Sequence, residues 1–354
     1  MRIAHLVWSL AIGGTQTMLT DIVNIQVQEG HEVGIFVIDT IANDTIMKKL
    51  DSRVKVFFMG RTRGEKAIFP FIKLNWYLWK YKPDIIHSHA IKLRKVVFLP
   101  VPKIVTLHTV GSKLKDIVGY DLICAISKTV KQYLEGIGCQ NVLLNENGIW
   151  CDKIKQRTVF SKFDEIHVVQ VSRICLDIKG QDIIVRALRQ VVDKMKEDPV
   201  LAKKKCIIHF VGDGPDTDKL RQLTSELKLD DNVVFEGFKD REWVYQHLCD
   251  FDLFIQASRY EGFGLTVAEA CAAKIPVLVS DIDGPLEIID NGKLGMTFKC
   301  GDHDDLAKQL YRFISGEYDY SLVEKAYQRT STRYSIERTT HDYLKEYEKL
   351  ASKN

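Results

Sequence analysis

Hydrophobic positions along the chain fall into short runs that alternate with stretches of helical periodicity. In the first half these runs predict strands at RIAHLVW, EVGIFVI, VKVFFM, DIIHSH, KIVTLH, DLICAI and NVLLN. A second series begins near residue 166, with strands at IHVVQVS, CIIHFVG, NVVFEG, DLFIQAS and IPVLVS. Because helical stretches separate the strands throughout, the pattern predicts an α/β protein with parallel sheets.

The length of the chain bounds its domain organisation. At 354 residues it exceeds what one ordinary hydrophobic core supports. We expect two Rossmann-like, doubly wound domains, at residues 1–160 and 161–334, with a polar and basic linker within residues 150–165. Two such domains would face each other across a central cleft, since doubly wound sheets bind ligands where loops leave the carboxyl ends of their strands.

Composition indicates a soluble globular protein, with 45% hydrophobic and 27% charged residues. No apolar run reaches the roughly 18 residues that a membrane-spanning helix needs. The amino-terminal MRIAHLVWSLAIGG is predicted to form a strand and a loop rather than a signal peptide. Eight cysteines without a Cys-x-x-Cys pair are expected to be reduced thiols, most of them small buried hydrophobic residues. We therefore expect a cytoplasmic protein.

Charge is distributed unevenly around a formal net charge of +3. Residues 1–165 hold 23 Lys and Arg against 15 Asp and Glu, whereas the remainder holds 27 against 32. An anionic surface or substrate on the basic side would explain this bias, and a solvated surface of mixed charge would explain it equally well. The sequence has no zinc finger, RNA-binding aromatic motif or dense basic stripe, so we do not expect a nucleic-acid partner.

The most distinctive chemistry lies in SRYEGFGLTVAEACAA, residues 258–273. Seven residues separate Glu261 from Glu269, and a Gly-Phe-Gly loop at 262–264 leads into a helix predicted to start near Leu265. That helix is apolar nearly all round, so it is expected to be buried, and its first N–H groups need an acceptor such as a phosphate or a sugar hydroxyl. Glu269 within it also needs partners, for which a ribose diol is suited. The alternative is a carboxylate that complements the helix dipole at Glu269 and a solvated loop residue at Glu261.

Other glycine turns and cations also follow predicted strands. Gly13-Gly14 lies between the first strand and a helix predicted from Thr15, where backbone amides suit a phosphate, although a simple tight turn explains the pair as well. Arg173 and Lys179 lie between a strand and the next helix, and such cations suit a pyrophosphate. VGDGP at 211–215 is a further turn, with proline opening the next predicted helix.

These stretches together resemble one large family. EGFGLTVAE is similar to the Glu-x7-Glu signature of retaining GT-B glycosyltransferases, glycosyltransferase family four, of the bacterial polysaccharide and glycolipid type. The resemblance covers nearly the whole chain, in the family's order: GG at 13–14, DIIHSH, TLH at 106–108, NGI at 147–149, VSR with the following KG, VGDGP, and a final helix YSIERTTHDYLKEYEKL. It implies an acceptor-binding domain at 1–160, completed by a carboxy-terminal helix at about 335–354 that crosses back to it, and a donor-binding domain at 161–334.

The resemblance also implies individual roles. Glu269 would hold the nucleotide ribose, and Glu261 would hold hydroxyls of the donor sugar. Arg173 and Lys179 would stabilise the charge that grows on the leaving diphosphate. His108 would lie near the anomeric carbon, so the residues implied in catalysis are His108, Arg173, Lys179 and Glu261. The donor-binding set implied is Gly13, Gly14, Gly237, Phe238, Glu261, Phe263, Gly264, Leu265, Thr266 and Glu269, with Gly14 donating its N–H to the phosphate from the other domain.

We expect neither a required metal nor a cofactor besides the nucleotide sugar. Asp281-Ile282-Asp283 spells the Asp-x-Asp of metal-dependent glycosyltransferases, but those have a different fold, and we interpret it as part of a turn. His87 and His89 are predicted to be structural residues. Thr15-Gln16 stands where many relatives carry a glutamate, so analogies about the acceptor are weak.

The stretch FPFIKLNWYLWKYK, residues 69–82, mixes aromatic and aliphatic residues with three lysines. A helix of this composition would suit peripheral contact with the inner membrane face, where relatives reach lipid-linked acceptors. The alternative is an amphipathic helix packed on the first sheet, with its lysines in water.

The sequence therefore predicts a retaining hexosyltransferase of cell-surface polysaccharide or glycoconjugate synthesis. Its donor would be a nucleotide diphosphate sugar, with UDP favoured over GDP, and its acceptor a saccharide or lipid-linked saccharide. A UDP-sugar epimerase of the same fold and a non-catalytic nucleotide-sugar-binding subunit remain alternatives. A dinucleotide-dependent oxidoreductase would need Gly-x-Gly-x-x-Gly after the first strand, and IGGTQT lacks that spacing.

Overall fold

The computed structural model describes residues 1–11, 13–62, 67–160 and 164–352. They divide into two compact units: unit 1 comprises Met1–Gly148 and Tyr334–Asn354, and unit 2 comprises Ile149–Arg333. Most of the segment expected to be a linker is attached to unit 2. The N–H of Arg157 donates to the Ala273 carbonyl at 2.8 Å, and its guanidinium pairs with Asp252 at 2.6 Å.

Unit 1 is built on a seven-stranded parallel sheet with the order β3-β2-β1-β4-β5-β6-β7. Its strands are β1 Arg2–Val7, β2 Glu32–Asp39, β3 Lys55–Arg61, β4 Ile85–Ser88, β5 Lys103–Leu107, β6 Leu122–Ala125 and β7 Val142–Leu144. The helices between them are α1 Gly14–Gln28, α2 Asp44–Lys49, α3 Phe69–Tyr81, α4 Leu114–Ile117 and α5 Lys128–Gly136, with a 3₁₀ turn at Ile91–Val96.

Helices cover both faces of this sheet, which is why its strands are nearly continuous hydrophobic runs. Successive side chains point to opposite faces, so Val7 of β1 joins a core with Leu19 and Val23 of α1, whereas Leu6 joins a core with Leu74 and Leu78 of α3.

Unit 2 is built on a six-stranded parallel sheet with the order β10-β9-β8-β11-β12-β13. Its strands are β8 Glu165–Val171, β9 Lys205–Val211, β10 Val233–Gly237, β11 Leu253–Gln256, β12 Val277–Ser280 and β13 Met296–Phe298. Its helices are α6 Leu176–Lys179, α7 Gln181–Glu197, α8 Thr217–Glu226, α9 Arg241–His247, α10 Leu265–Ala272, α11 Asp283–Ile288, α12 His303–Ile314 and α13 Ser321–Arg333, with 3₁₀ turns at Cys151–Lys153, Asp230–Asn232 and Leu248–Asp250.

The last helix, α14 Ile336–Ala351, belongs to unit 1. Ser335 caps its first turn, and Thr339 donates its hydroxyl to the Glu146 carbonyl at 2.8 Å. The Tyr343 and Tyr347 hydroxyls lie in hydrogen-bonding contact with β5 and β4 respectively. Buried polar contacts, and not apolar packing alone, therefore fix this helix on the first sheet.

Two local expectations were wrong. The helix predicted from Pro215 begins at Thr217, because the Thr217 hydroxyl and Asp213 close a hydrogen-bonded turn at 2.6 Å before it. The sequence pattern also missed β13, Met296–Phe298, because Thr297 interrupts its three residues and leaves no apolar run.

None of the helices in the described residues has the length and apolar character needed to span a membrane. All eight cysteines are free thiols, and six of them are buried.

Candidate active site

The order of the second sheet changes direction between β8 and β11, which are neighbours. The connections from these two strands leave toward opposite sides, so their carboxyl ends border the crevice where doubly wound sheets bind ligands. Arg173 follows β8 and Glu261 follows β11. The turn after β9 and the end of β10 lie on the same edge, because all these strands are parallel.

An ion pair joins the two loops that border this crevice. Lys179 Nζ donates to Glu261 Oε2 at 2.5 Å, and Gln256 Nε2 donates to the same oxygen at 3.1 Å. Both charged side chains are about four-fifths buried. Gln256 is fully buried at the end of β11, and its Oε1 has no hydrogen-bond partner among the described residues. The structure thus brings together two of the four residues implied in catalysis.

Gly180 fixes Lys179 in this position. It joins α6 to α7 with a φ of +65°, a conformation in which side chains are strained. A Cβ at Gly180 would lie 2.0 Å from the carbonyl oxygen of Ala257, the residue that follows β11. The Lys179 carbonyl in turn accepts from Gln170 of β8 at 2.9 Å. The backbone carrying Lys179 is therefore held directly against the ends of both central strands.

The loop between the glutamates is buried and leads into α10. Gly264 is the N-cap residue of α10, and no side chain in the described part of the chain caps its amino end. Phe263 is buried. Gly284 of α11 packs closely on the loop. A Cβ at Gly284 would lie 2.8 Å from the backbone carbonyl oxygen of Phe263 and 3.0 Å from that of Glu261. Leu265 and Thr266, in the first turn of α10, are partly exposed, and the first N–H groups of a helix have no acceptor within the helix.

Glu269 lies one turn into α10 and is 9% exposed, among buried alanine, valine and cysteine residues. A carboxylate in such surroundings needs hydrogen-bond donors. Its neighbours one turn back, Leu265 and Thr266, are the partly exposed residues of this helix. The position confirms the predicted burial of the helix, and the role of Glu269 remains a prediction.

Arg259 holds the start of the loop and was given no role from the sequence. Its guanidinium forms a bidentate pair with Asp182 of α7, at 3.0 and 2.9 Å, and donates to the Leu176 carbonyl at 2.5 Å. The backbone N–H of Arg259 donates to the Ile178 carbonyl at 2.8 Å. Arg259 therefore ties the loop after β11 to the α6–α7 junction that carries Lys179. An arginine two residues before Glu261 was the available signal, but its partner lies 77 residues away.

The remaining predicted donor residues of unit 2 lie on the same edge of the sheet. The Arg173 side chain is exposed after β8. Gly237 ends β10, and its carbonyl accepts from the Gly212 amide at 2.8 Å. Phe238 is 61% exposed, which presents a flat aromatic surface to solvent. Aromatic faces of this kind are suited to stacking with a base.

Gly13 and Gly14 lie at the amino end of α1 of unit 1, which begins one residue before the start predicted at Thr15. Gly13 is the N-cap residue, α1 starts at Gly14, and no side chain of the described residues caps it. A Cβ at Gly13 would lie 2.8 Å from Gln16 Oε1. Ile12, the residue before the pair, lies outside the described residues.

Four histidines cluster at the centre of the first sheet. His5 of β1 and His87 of β4 are register partners, and the His87 and His89 rings are 4.4 Å apart. The His108 ring follows β5 and lies 5.7 Å from that of His89. Sequence reasoning missed His5. Aligning the predicted strands β1 and β4 in parallel would have placed His5 beside His87 and so indicated its role.

Hydrogen bonds assign protons within this cluster. His5 Nε2 lies 2.9 Å from Gln26 Oε1, which only accepts, so His5 Nδ1 is left as an acceptor for His89 Nε2 at 3.3 Å. His89 Nδ1 and His108 Nε2 are buried without a hydrogen-bond partner among the described residues. Burial lowers the pKa of His5 and of His108 to about 4, and lowers the pKa values of His87 and His89 well below the ordinary value. The cluster is therefore neutral at pH 7.

Nitrogens of His5, His87 and His89 lie within 4.8 Å of one another and are of the type that binds transition metals. Both His87 nitrogens, however, are engaged by hydroxyls: Nδ1 by Tyr347 and Nε2 by Thr106 at 2.7 Å. A metal would have to displace one of these bonds. Asp281 of the Asp-x-Asp sequence accepts from the Cys300 amide at 2.7 Å, and Asp283 begins α11. The interpretation of this sequence as part of a turn stays a prediction.

Unit 1 also contains a cavity of about 430 Å³ at the carboxyl ends of β1 to β3. It is lined by Trp8, Ser9, Ala11, Asp39, Ile41, Arg61 and Thr62. The Arg61 guanidinium lies 5.3 Å from the centre of the Trp8 ring and 5.7 Å from that of Phe71, in the first turn of α3. This cavity therefore adjoins the amino end of α3.

Comparison with known proteins defines the class. The profile of the family described as glycosyl transferases group 1 matches residues 152–331, slightly more than half of the chain. A second profile, described as glycosyltransferase family 4, matches residues 12–153. The chain belongs to the glycosyl transferases group 1, and the predicted enzyme class is confirmed at that level.

Individual relatives are more distant. The chain is 25% identical over 327 residues to the lipopolysaccharide 1,6-galactosyltransferase of Escherichia coli, covering 86% of each protein. It is 34% identical over 116 residues to the Salmonella typhimurium enzyme of the same name, covering 32% of each protein. Similarity to the first of these thus extends over most of both chains, and similarity to the second over about a third.

Solved structures share the fold. The Anabaena protein HepE, determined in complex with UDP and glucose, has a TM-score of 0.80 at 21% identity, over 99% of this chain and 100% of that one. Sucrose-phosphate synthase from Thermosynechococcus elongatus has a TM-score of 0.81 at 19% identity, over 100% of both chains. These likenesses confirm the predicted GT-B fold with its two Rossmann-like sheets.

Proposed function

We propose that this glycosyltransferase moves a hexose from a UDP-sugar to a saccharide or lipid-linked saccharide during synthesis of cell-surface polysaccharide or glycoconjugate, with retention at the anomeric carbon. The observation that carries the proposal is the Lys179–Glu261 pair beside the uncapped start of α10. The names of relatives support the substrates: one is a lipopolysaccharide 1,6-galactosyltransferase, and HepE was determined in complex with UDP and glucose.

The donor would lie along the edge formed by the ends of β8, β10 and β11. The first amides of α10 would donate to the diphosphate and the sugar, since a helix start favours anions. Glu269, one turn further along α10, would accept hydrogen bonds from the ribose hydroxyls. Gly237 and Phe238 would flank the base, with the Phe238 ring stacked on it.

Charge on the leaving diphosphate is the main demand of glycosyl transfer. Arg173 and Lys179 would stabilise it, the first through a bidentate guanidinium and the second as a point charge. Two cations and a helix start can supply the positive charge that a divalent metal supplies elsewhere, and for this reason we propose that no metal is required.

The Lys179 ammonium would have two partners, because it already binds Glu261 and would also bind the diphosphate. Arrival of a diphosphate would draw Lys179 toward the phosphate and leave Glu261 Oε2 to accept from the sugar hydroxyls. The leaving phosphate is proposed to take the acceptor proton on the same face of the sugar, which gives retention. The roles of Gly13, Gly14 and His108 in unit 1 remain predictions.

Thermal stabilisation by UDP-, GDP-, ADP- and dTDP-sugars tests the donor site. A ligand at about 100 times its dissociation constant adds about 2.7 kcal/mol to the free energy of unfolding, a shift of several degrees. Glu269→Ala and Glu269→Gln should weaken binding by about 1.5–3 kcal/mol, roughly 10- to 150-fold, because charge-assisted bonds to the ribose are lost. Glu226→Ala, an exposed glutamate of α8, is the matched control and should keep the full shift.

The outcomes separate the alternatives. A shift with one nucleotide, lost in both Glu269 variants and kept in the control, supports the donor site and names the base. Release of a sugar epimer without any acceptor would indicate an epimerase, and binding without turnover would indicate a binding subunit. Proton NMR of the product then reports the anomeric configuration, and activity after chelation with EDTA reports the metal requirement. A folded protein that no nucleotide sugar stabilises would contradict the proposal.

A further inference from the structure

A buried glutamine of unit 2 contacts the loop that follows β11 at two points. Gln256 is the last residue of β11, pairs in register with Val279 of β12 and is 2% exposed. Its Nε2 donates to Glu261 Oε2 at 3.1 Å, and its Oε1 lies 3.5 Å from the position that a Cβ at Gly264 would occupy. The amide therefore lies between the glutamate that precedes the Gly-Phe-Gly loop and the N-cap residue of α10.

Packing alone does not explain a glutamine at this position. Its Oε1 is buried and has no hydrogen-bond partner among the described residues, which opposes folding. An apolar side chain of the same length would avoid that cost. Turning the amide by 180° would not help, because Oε1 would then face the Glu261 carboxylate and both groups only accept. The contact with Glu261 is therefore the feature that a glutamine supplies here and an apolar residue would not.

Two donors converge on one oxygen of Glu261. Lys179 Nζ and Gln256 Nε2 both donate to Oε2, at 2.5 and 3.1 Å, and in the described part of the chain they are the only side chains that donate to this carboxylate. Lys179 is a point charge on a flexible stem, which a diphosphate would draw away. Gln256 is uncharged and enclosed, so it would stay in place. The carboxylate would then keep its orientation through Gln256 alone.

We infer that Gln256 is a positioning residue that sets the preference of the site for one hexose, because it holds the Glu261 carboxylate in the orientation that accepts from particular sugar hydroxyls. The inference rests on the proposed donor site. A hydrogen-bonding group discriminates between sugars only when its own position is fixed, since hexoses of different configuration present the same hydroxyl in different directions. A carboxylate free to rotate would serve them more equally. Binding of the nucleotide part should not depend on Gln256.

Binding titrations with UDP, UDP-glucose and UDP-galactose test this role. The two sugars differ in the configuration of one hydroxyl, so the ratio of their Kd values measures the preference. We expect Gln256→Met to bring this ratio closer to one by about 2- to 12-fold, which corresponds to one hydrogen bond, and to change the Kd for UDP by less than about twofold. When Glu261→Gln is already present, adding Gln256→Met should change the ratio by less than about twofold, since Gln256 acts through Glu261.

Thermal melts separate positioning from support of the fold. Gln256→Met removes a buried oxygen without a partner and leaves Glu261 paired with Lys179, so this variant should melt at the native temperature or above it. Thr224→Val in α8 is the matched control, because Thr224 is also buried and its hydroxyl donates to the Leu220 carbonyl at 2.9 Å. The control should keep the native ratio and the native Kd for UDP.

Three results would overturn the inference while the proposed function holds. The first is a Gln256→Met variant that binds UDP and keeps the native ratio. The second is a native chain that binds both UDP-sugars equally well. The third is a Gln256→Met variant that melts well below the native chain and loses affinity for UDP and the UDP-sugars in the same proportion, because Gln256 would then support the fold. A native chain that binds none of the three ligands would overturn the proposed UDP-sugar donor, and this inference with it.

Discussion

Replacing Gly180 by alanine perturbs the backbone junction that holds Lys179 beside Glu261. Gly180 has a φ of +65°, and an added Cβ would lie 2.0 Å from the Ala257 oxygen and 2.9 Å from its carbonyl carbon. Gly316, after α12 in the same unit, offers a matched control: its φ is +87°, and a Cβ there would have no neighbour within 4 Å. The two substitutions share the conformational strain and differ only in the collision.

The expected magnitudes follow from that difference. A left-handed conformation costs an alanine about 1–2 kcal/mol, and this applies at both positions. Forcing a methyl group against a packed backbone adds about 1–3 kcal/mol, and this applies only at Gly180. For a unit of this size 1 kcal/mol corresponds to about 2–4 °C in melting temperature. We therefore expect Gly180→Ala to melt about 2–12 °C below Gly316→Ala.

Circular dichroism melts measure the difference in stability between the two variants. The rise in melting temperature caused by the stabilising sugar nucleotide measures how well each variant binds it. Because the junction positions Lys179, Gly180→Ala should also lose most of the nucleotide-dependent shift, whereas Gly316→Ala should keep it. Equal melting temperatures for the two variants would refute the argument from close approach. A Gly180→Ala variant that is destabilised but keeps its full nucleotide shift would show that the junction supports the fold and not the site.

Two further predictions concern polar side chains, one buried and one partly exposed. Burial lowers the pKa of His5 to about 4. As pH falls below 6.5, the unfolded chain therefore binds a proton at His5 that the folded chain excludes. The free energy of unfolding should fall by about 3 kcal/mol between pH 6.5 and about 4. His5→Gln should flatten the pH dependence of the urea midpoint in that window, and an unchanged slope would count against it. Arg259→Lys removes the bidentate pair with Asp182, and should destabilise unit 2 by about 1 kcal/mol and weaken nucleotide binding. Arg53→Lys, which loses an exposed bidentate pair with Asp51, should change neither, and similar effects of both variants would contradict a specific role for Arg259.

The fold was predictable because its signal is periodic and local. Each strand of both sheets except β13 contains at least two consecutive apolar residues, and parallel strands buried on both faces need such apolar stretches. The donor loop was predictable for a related reason. Glu261, the Gly-Phe-Gly loop and Glu269 lie within nine consecutive residues, so their spacing is visible without knowledge of the fold.

What the sequence did not show depends on contacts between distant residues. Arg259 and Asp182 are separated by 77 positions, and the hydrogen bond between His5 and His89 joins residues 84 positions apart. Neither pair can be found from periodicity, because strand register and helix packing bring them together. The role of Gly284 was missed for the same reason, because no sequence pattern near it predicts that the backbone of Phe263 packs against its α-carbon.

Helices α3 and α10 show why an apolar pattern alone does not predict burial. Helix α10 is apolar nearly all round, a composition that predicts burial on every side, whereas α3 mixes apolar residues with two lysines and was expected to be covered on one side at least. The expectation is met for α10, because β11 and β12 cover one side of it while α11 and α13 cover others. Helix α3 packs on β2 and β3 and leaves Ile72, Trp76 and Trp79 exposed. A run of apolar residues therefore predicts that a helix packs on the sheet, but the number of its sides that are covered depends on how many neighbouring elements the fold places around it.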